Sequence, residues 1–184
     1  SGVLMSLRDD LLVWIDLEMT GLDPYENTII EIATIITDSQ LSVIAEGPNL
    51  VINQSDEELG KMDSWNVSHH TSNGLIEKVR KSEINLRQAE EMTLDFLSKY
   101  CVPKTALLCG NTIGTDRLFL FFHMKELEKF IHYRSIDVTS IKELTRRWYP
   151  KGKKYRKNSG HRALDDIRGS IEELKLYREN FFIQ

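Results

Sequence analysis

The stretch WIDLEMTG, Trp14 to Gly21, joins an apolar run to two acids and raises the question of what neutralises them. The apolar residues before and between the acids favour an extended strand. Residues two apart in a strand point to the same face, so Asp16 and Glu18 aim at one spot. Carboxylates that share a poorly solvated place repel each other. Either both acids reach water at a strand end, or a divalent cation binds there.

Composition limits the classes of protein to which the chain can belong. At 184 residues, with 41% hydrophobic and 28% charged side chains, it is long enough for one domain with a substantial core. The net charge is −4, whereas proteins that grip long nucleic acids through many phosphates are usually basic. A nucleic-acid substrate would therefore be short, or would be bound through metal ions.

The sequence predicts a cytoplasmic protein with no membrane anchor. Cys101 and Cys109 have no metal-like spacing, and we expect both to be reduced and structural. No apolar run is long enough to span a bilayer. The N-terminus has no signal-peptide pattern, and Asp9 and Asp10 argue against a mitochondrial presequence. We interpret Ser1 to Leu4, ahead of Met5, as a cloning remnant or a disordered start.

The order of the elements predicts an α/β domain over residues 1–184. Three consecutive strands with short links are typical of an antiparallel meander. Later strands alternate with amphipathic helices, so we expect a mixed β-sheet, part antiparallel and part parallel, flanked by α-helices. The predicted strands are 11–19, 28–37, 41–53 (interrupted at 47–48), 106–110 and 135–138, and the predicted helices begin at Ser55, Leu75, Asn85, near Asp116, at Thr139 and near Arg162.

Three further positions could complete a site around the first two acids. Asp116, in GNTIGTD, opens a helix after a short strand, where ligands bind in open α/β sheets. An acid there is also ordinary, because the helix dipole favours it. His161 begins the segment HRALDD, and a histidine at a helix start is often only a solvated cap. Helical phase puts Asp165 towards solvent and Asp166 beside the apolar stripe, so Asp166 is the better ligand candidate.

Together these signals resemble the DEDD exonucleases, in the histidine-containing subclass with a ribonuclease H-like fold. Further stretches resemble the oligoribonuclease family, in the same order and over nearly the whole chain: WIDLEMTGLDP, IIEIATIITD, AEGPNL, MDSWNV, CGN, HYRSIDV, KELTRRWYP and HRALDDI. That family consists of 3′-to-5′ exoribonucleases that cut very short oligonucleotides. The resemblance predicts the ribonuclease H-like fold and this activity for the chain.

The resemblance also implies a catalytic centre with two Mg²⁺ or Mn²⁺ ions. Asp16, Glu18 and Asp166 would hold the ion that activates water, and Asp16 would bridge to a second ion that Asp116 supports. Hard oxygen ligands suit these metals. His161 resembles the general base, and its ordinary pKa near 6.5 suits that role. The product would be a nucleoside 5′-monophosphate.

The same resemblance suggests contacts for short single-stranded RNA, above all 5′-phosphorylated dinucleotides. Leu22 resembles a wedge against the bases, and Trp65 and His70 resemble stacking and base-contact positions. A core aromatic is the alternative for Trp65. Thr112 replaces the serine of the usual GNS motif, which keeps a hydroxyl near the phosphate but adds a methyl group.

The resemblance further implies a homodimer. Tyr133 and Arg134 resemble residues that reach the neighbouring subunit's site, where a guanidinium would bind the substrate's 5′ phosphate. The basic run 151–157 is either a solvated loop or a surface that attracts the anionic substrate. Long duplexes and membranes are not expected partners.

Two other interpretations stay open at this point. One is a proofreading exonuclease of the same fold that works on longer DNA, and HYR together with the contiguous family match weighs against it. The other is a non-catalytic protein that binds dinucleotides or RNA with a degenerate site. All five acidic and imidazole positions are present, which weighs against the second.

Overall fold

The computed structural model describes residues 6–157 and 162–184, and its centre is a five-stranded mixed sheet. The sheet order is β3-β2-β1-β4-β5. The first three strands form the predicted antiparallel meander, whereas β4 and β5 run parallel to β1. The strands are β1 (Leu12–Met19), β2 (Ile29–Thr37), β3 (Val43–Val51), β4 (Leu107–Gly110) and β5 (Ser135–Asp137).

Helices cover both faces of the sheet, which confirms the predicted architecture. Along β1, Val13, Ile15 and Leu17 pack with one group of helices, while Trp14 lies on the opposite face with α8. This alternation puts Asp16 and Glu18 on the α8 face. The helices are α1 (Asp56–Leu59), α2 (Ser64–Ser72), α3 (Leu75–Lys81), α4 (Leu86–Ser98), α5 (Ile113–His123), α6 (Lys125–Phe130), α7 (Val138–Trp148) and α8 (Ala163–Phe181).

Two segments that the sequence predicts as single helices are divided. The segment after Ser55 stops at Gly60, and α2 restarts where the Asp63 side chain accepts a hydrogen bond from the N–H of Asn66. Such local capping competes with a continuous helix. The segment from Asp116 to Ile131 breaks at Met124, which is buried and not helical.

Strand β3 runs through the interruption predicted at 47–48, but its pairing with β2 shifts register there, between Ala33 with Asn49 and Ile35 with Glu46. A Cβ on Gly47 would lie 2.6 Å from the Phe96 ring, so the glycine lets α4 pack closely on this strand. Both cysteines are buried and free, as predicted. Within the described ranges, no helix is both long and apolar enough to cross a bilayer.

Candidate active site

The structure brings three of the predicted acids together. Carboxylate oxygens of Asp16, Glu18 and Asp166 all lie within 4.8 Å of one another. The two β1 acids face α8, and Asp166 comes from the first turns of that helix. Asp165 is exposed while Asp166 is half-buried, in agreement with the helical phase of the sequence.

Asp116 approaches the same place from the opposite face of the sheet. It lies in the first turn of α5 and is 6% exposed. Its Oδ1 accepts a hydrogen bond from the N–H of Leu17 at 3.2 Å, which ties α5 to the middle of the acid pair on β1. After burial, repulsion from Asp116 is the largest cause of the raised pKa of Asp16, so the two carboxylates share one region.

Burial and mutual repulsion make this cluster costly to ionise. Burial, followed by repulsion from Asp116, Glu18 and Asp166, raises the pKa of Asp16 well above its ordinary value. Burial and then Asp166 raise the pKa of Glu18 to about 8. Burial raises the pKa of Asp116 to about 7, although the Leu17 N–H opposes this.

The donor set fits divalent cations with hard oxygen ligands. Oδ2 of Asp16 is buried and has no hydrogen-bond partner among the residues that the structure describes. A buried carboxylate oxygen normally has a partner, and a cation would supply one while removing the repulsion. Three carboxylate oxygens within 4.8 Å of one another are typical of a Mg²⁺ or Mn²⁺ site.

A cavity of about 730 Å³ opens beside the acids, between the end of the sheet, the basic loop and α8. Asp16 and Asp166 line one side, and Thr112, Lys142 and Lys157 are among the other lining residues. Lys157 Nζ lies 3.4 Å from Oδ1 of Asp166, so one lysine of the basic run 151–157 already faces the acidic cluster. This cavity can receive an anionic group next to the predicted metal ligands.

Comparison with known proteins identifies the family. The family model described as Exonuclease (RNase_T) matches residues 13–174. The oligoribonuclease of Vibrio vulnificus is 56% identical over 179 residues, covering 97% of this chain and 99% of that protein. The oligoribonuclease of Escherichia coli O139:H28 is 51% identical over 180 residues, covering 96% and 98%. The chain belongs to the oligoribonuclease family.

Solved structures show how this family's fold relates to larger exonucleases. Apo exonuclease I superposes with a TM-score of 0.72 at 16% identity, over 95% of this chain and 43% of that chain. Exonuclease I of Methylocaldum szegediense gives 0.69 at 20% identity, over 92% and 40%. The chain thus spans less than half of exonuclease I, and the likeness shows a ribonuclease H-like fold. The fold and family predicted from the sequence are both confirmed.

The oligoribonuclease-like positions on α2 differ in exposure. Trp65 is 66% exposed, which excludes the core-aromatic interpretation, and its ring stacks on His69 with centroids 4.8 Å apart. His70 is buried instead, and its Nε2 lies 2.9 Å from the carbonyl oxygen of Met19. A carbonyl can only accept, so Nε2 carries the proton. The ring that stacks on Trp65 is therefore the half-buried His69, which the sequence pattern did not single out, whereas His70 attaches α2 to the end of β1.

The loop after β1 presents Leu22 at the surface, 78% exposed. The loop is nevertheless well fixed: a Cβ on Gly21 would lie 2.4 Å from the Asn27 side chain, and Asn27 Oδ1 accepts from the N–H of Asp23. His123 on α5 also contacts the carbonyl of Pro24 at 3.0 Å. An exposed apolar side chain on a fixed loop suits a wedge.

Thr112 opens α5 in a left-handed backbone conformation, with φ of 49°. Its N–H donates to Asp137 and to Thr139, and its hydroxyl lies 3.1 Å from the Thr139 hydroxyl. The hydroxyl therefore has a protein partner while the residue still lines the cavity. Asn111, just before it, is linked by hydrogen bonds to Ser170 and Glu173 on α8.

Tyr133 and Arg134 are exposed on the segment that precedes β5. The Arg134 guanidinium lies over the Tyr133 ring, 5.3 Å from its centroid. Tyr133 also stacks on His132 at 4.6 Å.

His161 lies outside the described residues, as does the segment Ser1 to Leu4. Arg162, the chain neighbour of His161, is described and contacts buried Glu31, which the sequence pattern did not identify.

Proposed function

We propose that this chain removes nucleotides from the 3′ end of short RNAs at a centre of two divalent cations held by Asp16, Glu18, Asp116 and Asp166. The activity itself follows from the family: the chain is a 3′-to-5′ exoribonuclease that degrades short oligoribonucleotides, a phosphodiester hydrolase. What is proposed is how its residues perform that reaction.

The single observation that carries the mechanism is the convergence of the Asp16, Glu18 and Asp166 carboxylates within 4.8 Å. Two bound Mg²⁺ or Mn²⁺ ions would supply charge neutralisation for both the attacking and the leaving oxygen of an in-line displacement. Asp16 would be a ligand shared by both ions, and Glu18 and Asp166 would complete the ligand set between β1 and α8. Asp116 would support the second ion through its other oxygen, since its Oδ1 already accepts a hydrogen bond from the Leu17 N–H.

His161 is the proposed general base, which takes a proton from the attacking water. This role rests on the resemblance and on the position of His161 in the sequence, two residues before α8 and five residues before Asp166. A neutral imidazole with a pKa near 6.5 can accept a proton at physiological pH. His161→Ala should therefore reduce kcat much more than it changes KM.

The bases of the substrate lie between a wedge and a platform. Leu22 on the fixed loop separates the terminal bases, and exposed Trp65 with its stacked neighbour His69 offers an aromatic face. His70 contributes by fixing α2 against Met19 rather than by an exposed base contact. Thr112 places a hydroxyl on the cavity wall near the scissile phosphate.

We further propose a cytoplasmic homodimer in which Tyr133 and Arg134 complete the neighbouring site. Strand register supports this arrangement: Ser135 pairs with Leu108, which pairs with Val13, so Arg134 is level with Leu12. Asp16 is four residues further along and two strands away, a backbone separation of about 16 Å by standard strand spacings. Arg134 thus starts far from its own metal ligands and is exposed for a partner.

A metal-dependence assay tests the mechanism. Purified, metal-stripped protein is incubated with labelled RNA and DNA of two to ten nucleotides while Mn²⁺ is titrated, with Asp16→Asn as the matched variant. Loss of a residue that hydrogen-bonds to a metal ligand typically lowers activity roughly tenfold to a hundredfold. Asp16→Asn, which alters a ligand of both ions, should therefore lower turnover at least about a hundredfold. Wild-type turnover without added cation, or full turnover by Asp16→Asn at saturating Mn²⁺, would contradict the two-metal centre. Faster cleavage of long DNA than of short RNA would favour the proofreading alternative.

A further inference from the structure

Glu31 is buried next to the proposed metal ligand Glu18, but its hydrogen bonds go to the start of α8. It pairs with Glu18 across β1 and β2, so both carboxylates lie on the α8 face. The Glu31 side chain is completely buried. A buried carboxylate opposite another acid is unfavourable unless a cation and hydrogen bonds compensate it.

The compensation comes from the start of α8. Arg162 Nε lies 3.1 Å from Oε1 and 3.0 Å from Oε2 of Glu31, and its Nη2 contacts Oε2 as well. The N–H of Ala163 also donates to Oε1 at 3.0 Å. One carboxylate therefore binds both a guanidinium and a backbone N–H from two consecutive residues.

These contacts replace a conventional helix cap. The first N–H groups of a helix have no partner within the helix, and the N-cap residue Arg162 makes no side-chain cap hydrogen bond. Glu31 supplies that acceptor from β2, together with the negative charge that a helix N-terminus favours. Asp166 follows one turn later, and its N–H bonds to the carbonyl of Arg162. The position of Asp166 relative to Glu18 thus depends on where Glu31 holds this turn.

We propose that Glu31 is a positioning residue for the metal centre: by binding Arg162 and the N–H of Ala163 it fixes the first turn of α8, so that Asp166 meets Asp16 and Glu18. This inference rests on the proposed function, because it treats Asp166 as a metal ligand. Ordered neighbours of metal ligands typically contribute about tenfold to a hundredfold to affinity or rate. Glu31 should act through Asp166 and touch neither cation nor substrate.

The chain offers a matched control on the same helix. Arg168 on α8 pairs with Glu46 on β3, and this pair is about half exposed on both sides. Glu46→Gln therefore removes one ion pair between the sheet and α8 without disturbing the first turn. Exposed pairs contribute little to stability, so this variant should bind Mn²⁺ as the wild type does.

The experiment compares Glu31→Gln, Glu46→Gln and Asp16→Asn with wild type. Mn²⁺ binding to the metal-stripped, RNA-free proteins is measured by calorimetry and by electron paramagnetic resonance, and Tm and kcat are measured in parallel. We expect Glu31→Gln to weaken Mn²⁺ binding by about tenfold to a hundredfold and to lower kcat at saturating Mn²⁺, with a smaller change in substrate KM. Arg162→Lys, which keeps the charge but loses the planar fork, should be intermediate.

The outcomes separate the two hypotheses. A lower Tm for Glu31→Gln with wild-type Mn²⁺ affinity and kcat would overturn the positioning role and leave a purely structural pair. Should Glu31→Gln fail to fold, Arg162→Lys decides by the same measurement, because wild-type Mn²⁺ affinity in that variant would also overturn the role. If wild type itself binds no Mn²⁺, or Asp16→Asn binds it equally well, the proposed metal centre is wrong and the positioning role of Glu31 falls with it. Failure of the Glu31 role alone looks different, because wild type then binds Mn²⁺ and Asp16→Asn does not.

Discussion

At the scale of single residues, the acids on β1 are held together against their own repulsion. Asp16 and Glu18 are on one face because of strand alternation, and Asp166 and Asp116 approach from the helices on either side. The raised pKa values record the free energy that ionisation costs in the absence of a cation. Clustered carboxylates of this kind therefore destabilise the folded protein when no metal is bound.

The first prediction is a pH-dependent stability that divalent cations reverse. The pKa of Glu18 is raised from 4.5 to about 8, so between these values the folded protein binds more protons at Glu18 than the unfolded chain does. The free energy of unfolding of the metal-free protein should therefore fall as pH rises through this window. Mg²⁺ or Mn²⁺ should remove the decline, because the ions bind the ionised carboxylates.

Thermal unfolding at a series of pH values, with chelator and with Mn²⁺, measures this effect. Glu18→Gln should make the chelator curve less steep but not flat, because the pKa values of Asp16 and Asp116 are raised as well. Glu46→Gln, which alters an exposed acid, should leave the slope unchanged. A metal-free Tm that rises steadily from pH 5 to pH 8 would contradict a raised pKa at Glu18.

At the scale of elements, α2 carries the proposed aromatic platform and is attached to β1. Its attachment is the contact of His70 with the Met19 carbonyl, one residue beyond Glu18. Ring nitrogens of His69 and His70 come within 4.8 Å of a Glu18 carboxylate oxygen and of each other. Trp65, one turn before His69, is thus held close to the metal ligands although its own ring is mostly exposed.

We expect Trp65→Ala to weaken substrate binding without destabilising the fold. Its ring buries little surface, so Tm should change by no more than about a degree or two, while loss of stacking, about 1–3 kcal/mol per base, should raise KM by roughly fivefold to a hundredfold. Trp148→Ala is the matched control, because Trp148 is 68% exposed at the end of α7. Equal kinetic effects of the two substitutions would contradict a platform at Trp65.

How much the sequence predicts depends on whether the signal is local. Strand alternation and helical phase suffice to place Asp16, Glu18 and Asp166 on facing surfaces, and capping residues suffice to start most helices. The contact of Glu31 with Arg162 could not be predicted, because the two residues are 131 positions apart and only the packing of α8 on the sheet brings them together. Similarly, no periodicity distinguishes half-buried His69 from fully buried His70, since the packing of α2 on Met19 decides which of the two is buried.

At the scale of the whole molecule, the proposed dimer makes each site composite. If Arg134 acts in the neighbour's site, a subunit with Asp16→Asn and a subunit with Arg134→Ala should complement each other. Random exchange gives half mixed dimers, each with one intact site of two, so activity on 5′-phosphorylated dinucleotides should recover to about a quarter of wild type. Subunit exchange is verified with two affinity tags. Exchange without recovery would show that each chain completes its own site.

Substrate length tests the whole assembly, because long RNA and short RNA need different surfaces. A long single strand requires an extended positive groove with successive stacking platforms. This chain has a net charge of −4, and its proposed base contacts are confined to Leu22 and the α2 platform near the metal ligands. Its concentrated positive charge is the run 151–157, of which Lys157 already faces Asp166. Such a surface suits a substrate only a few nucleotides long.

The last prediction is that 5′-phosphorylated diribonucleotides are cleaved best. If the partner's Arg134 binds the 5′ phosphate at a fixed distance from the cations, a dinucleotide fills the site and a longer chain loses that contact. A charge-assisted hydrogen bond contributes about 1.5–3 kcal/mol, or roughly tenfold to a hundredfold in affinity. Removing the 5′ phosphate should therefore lower kcat/KM for the dinucleotide by that factor but hardly affect a seven-nucleotide RNA, and Arg134→Ala should abolish the difference between phosphorylated and unphosphorylated dinucleotides. A kcat/KM that climbs steadily from two to ten nucleotides would show that the 5′ phosphate is not held at a fixed position.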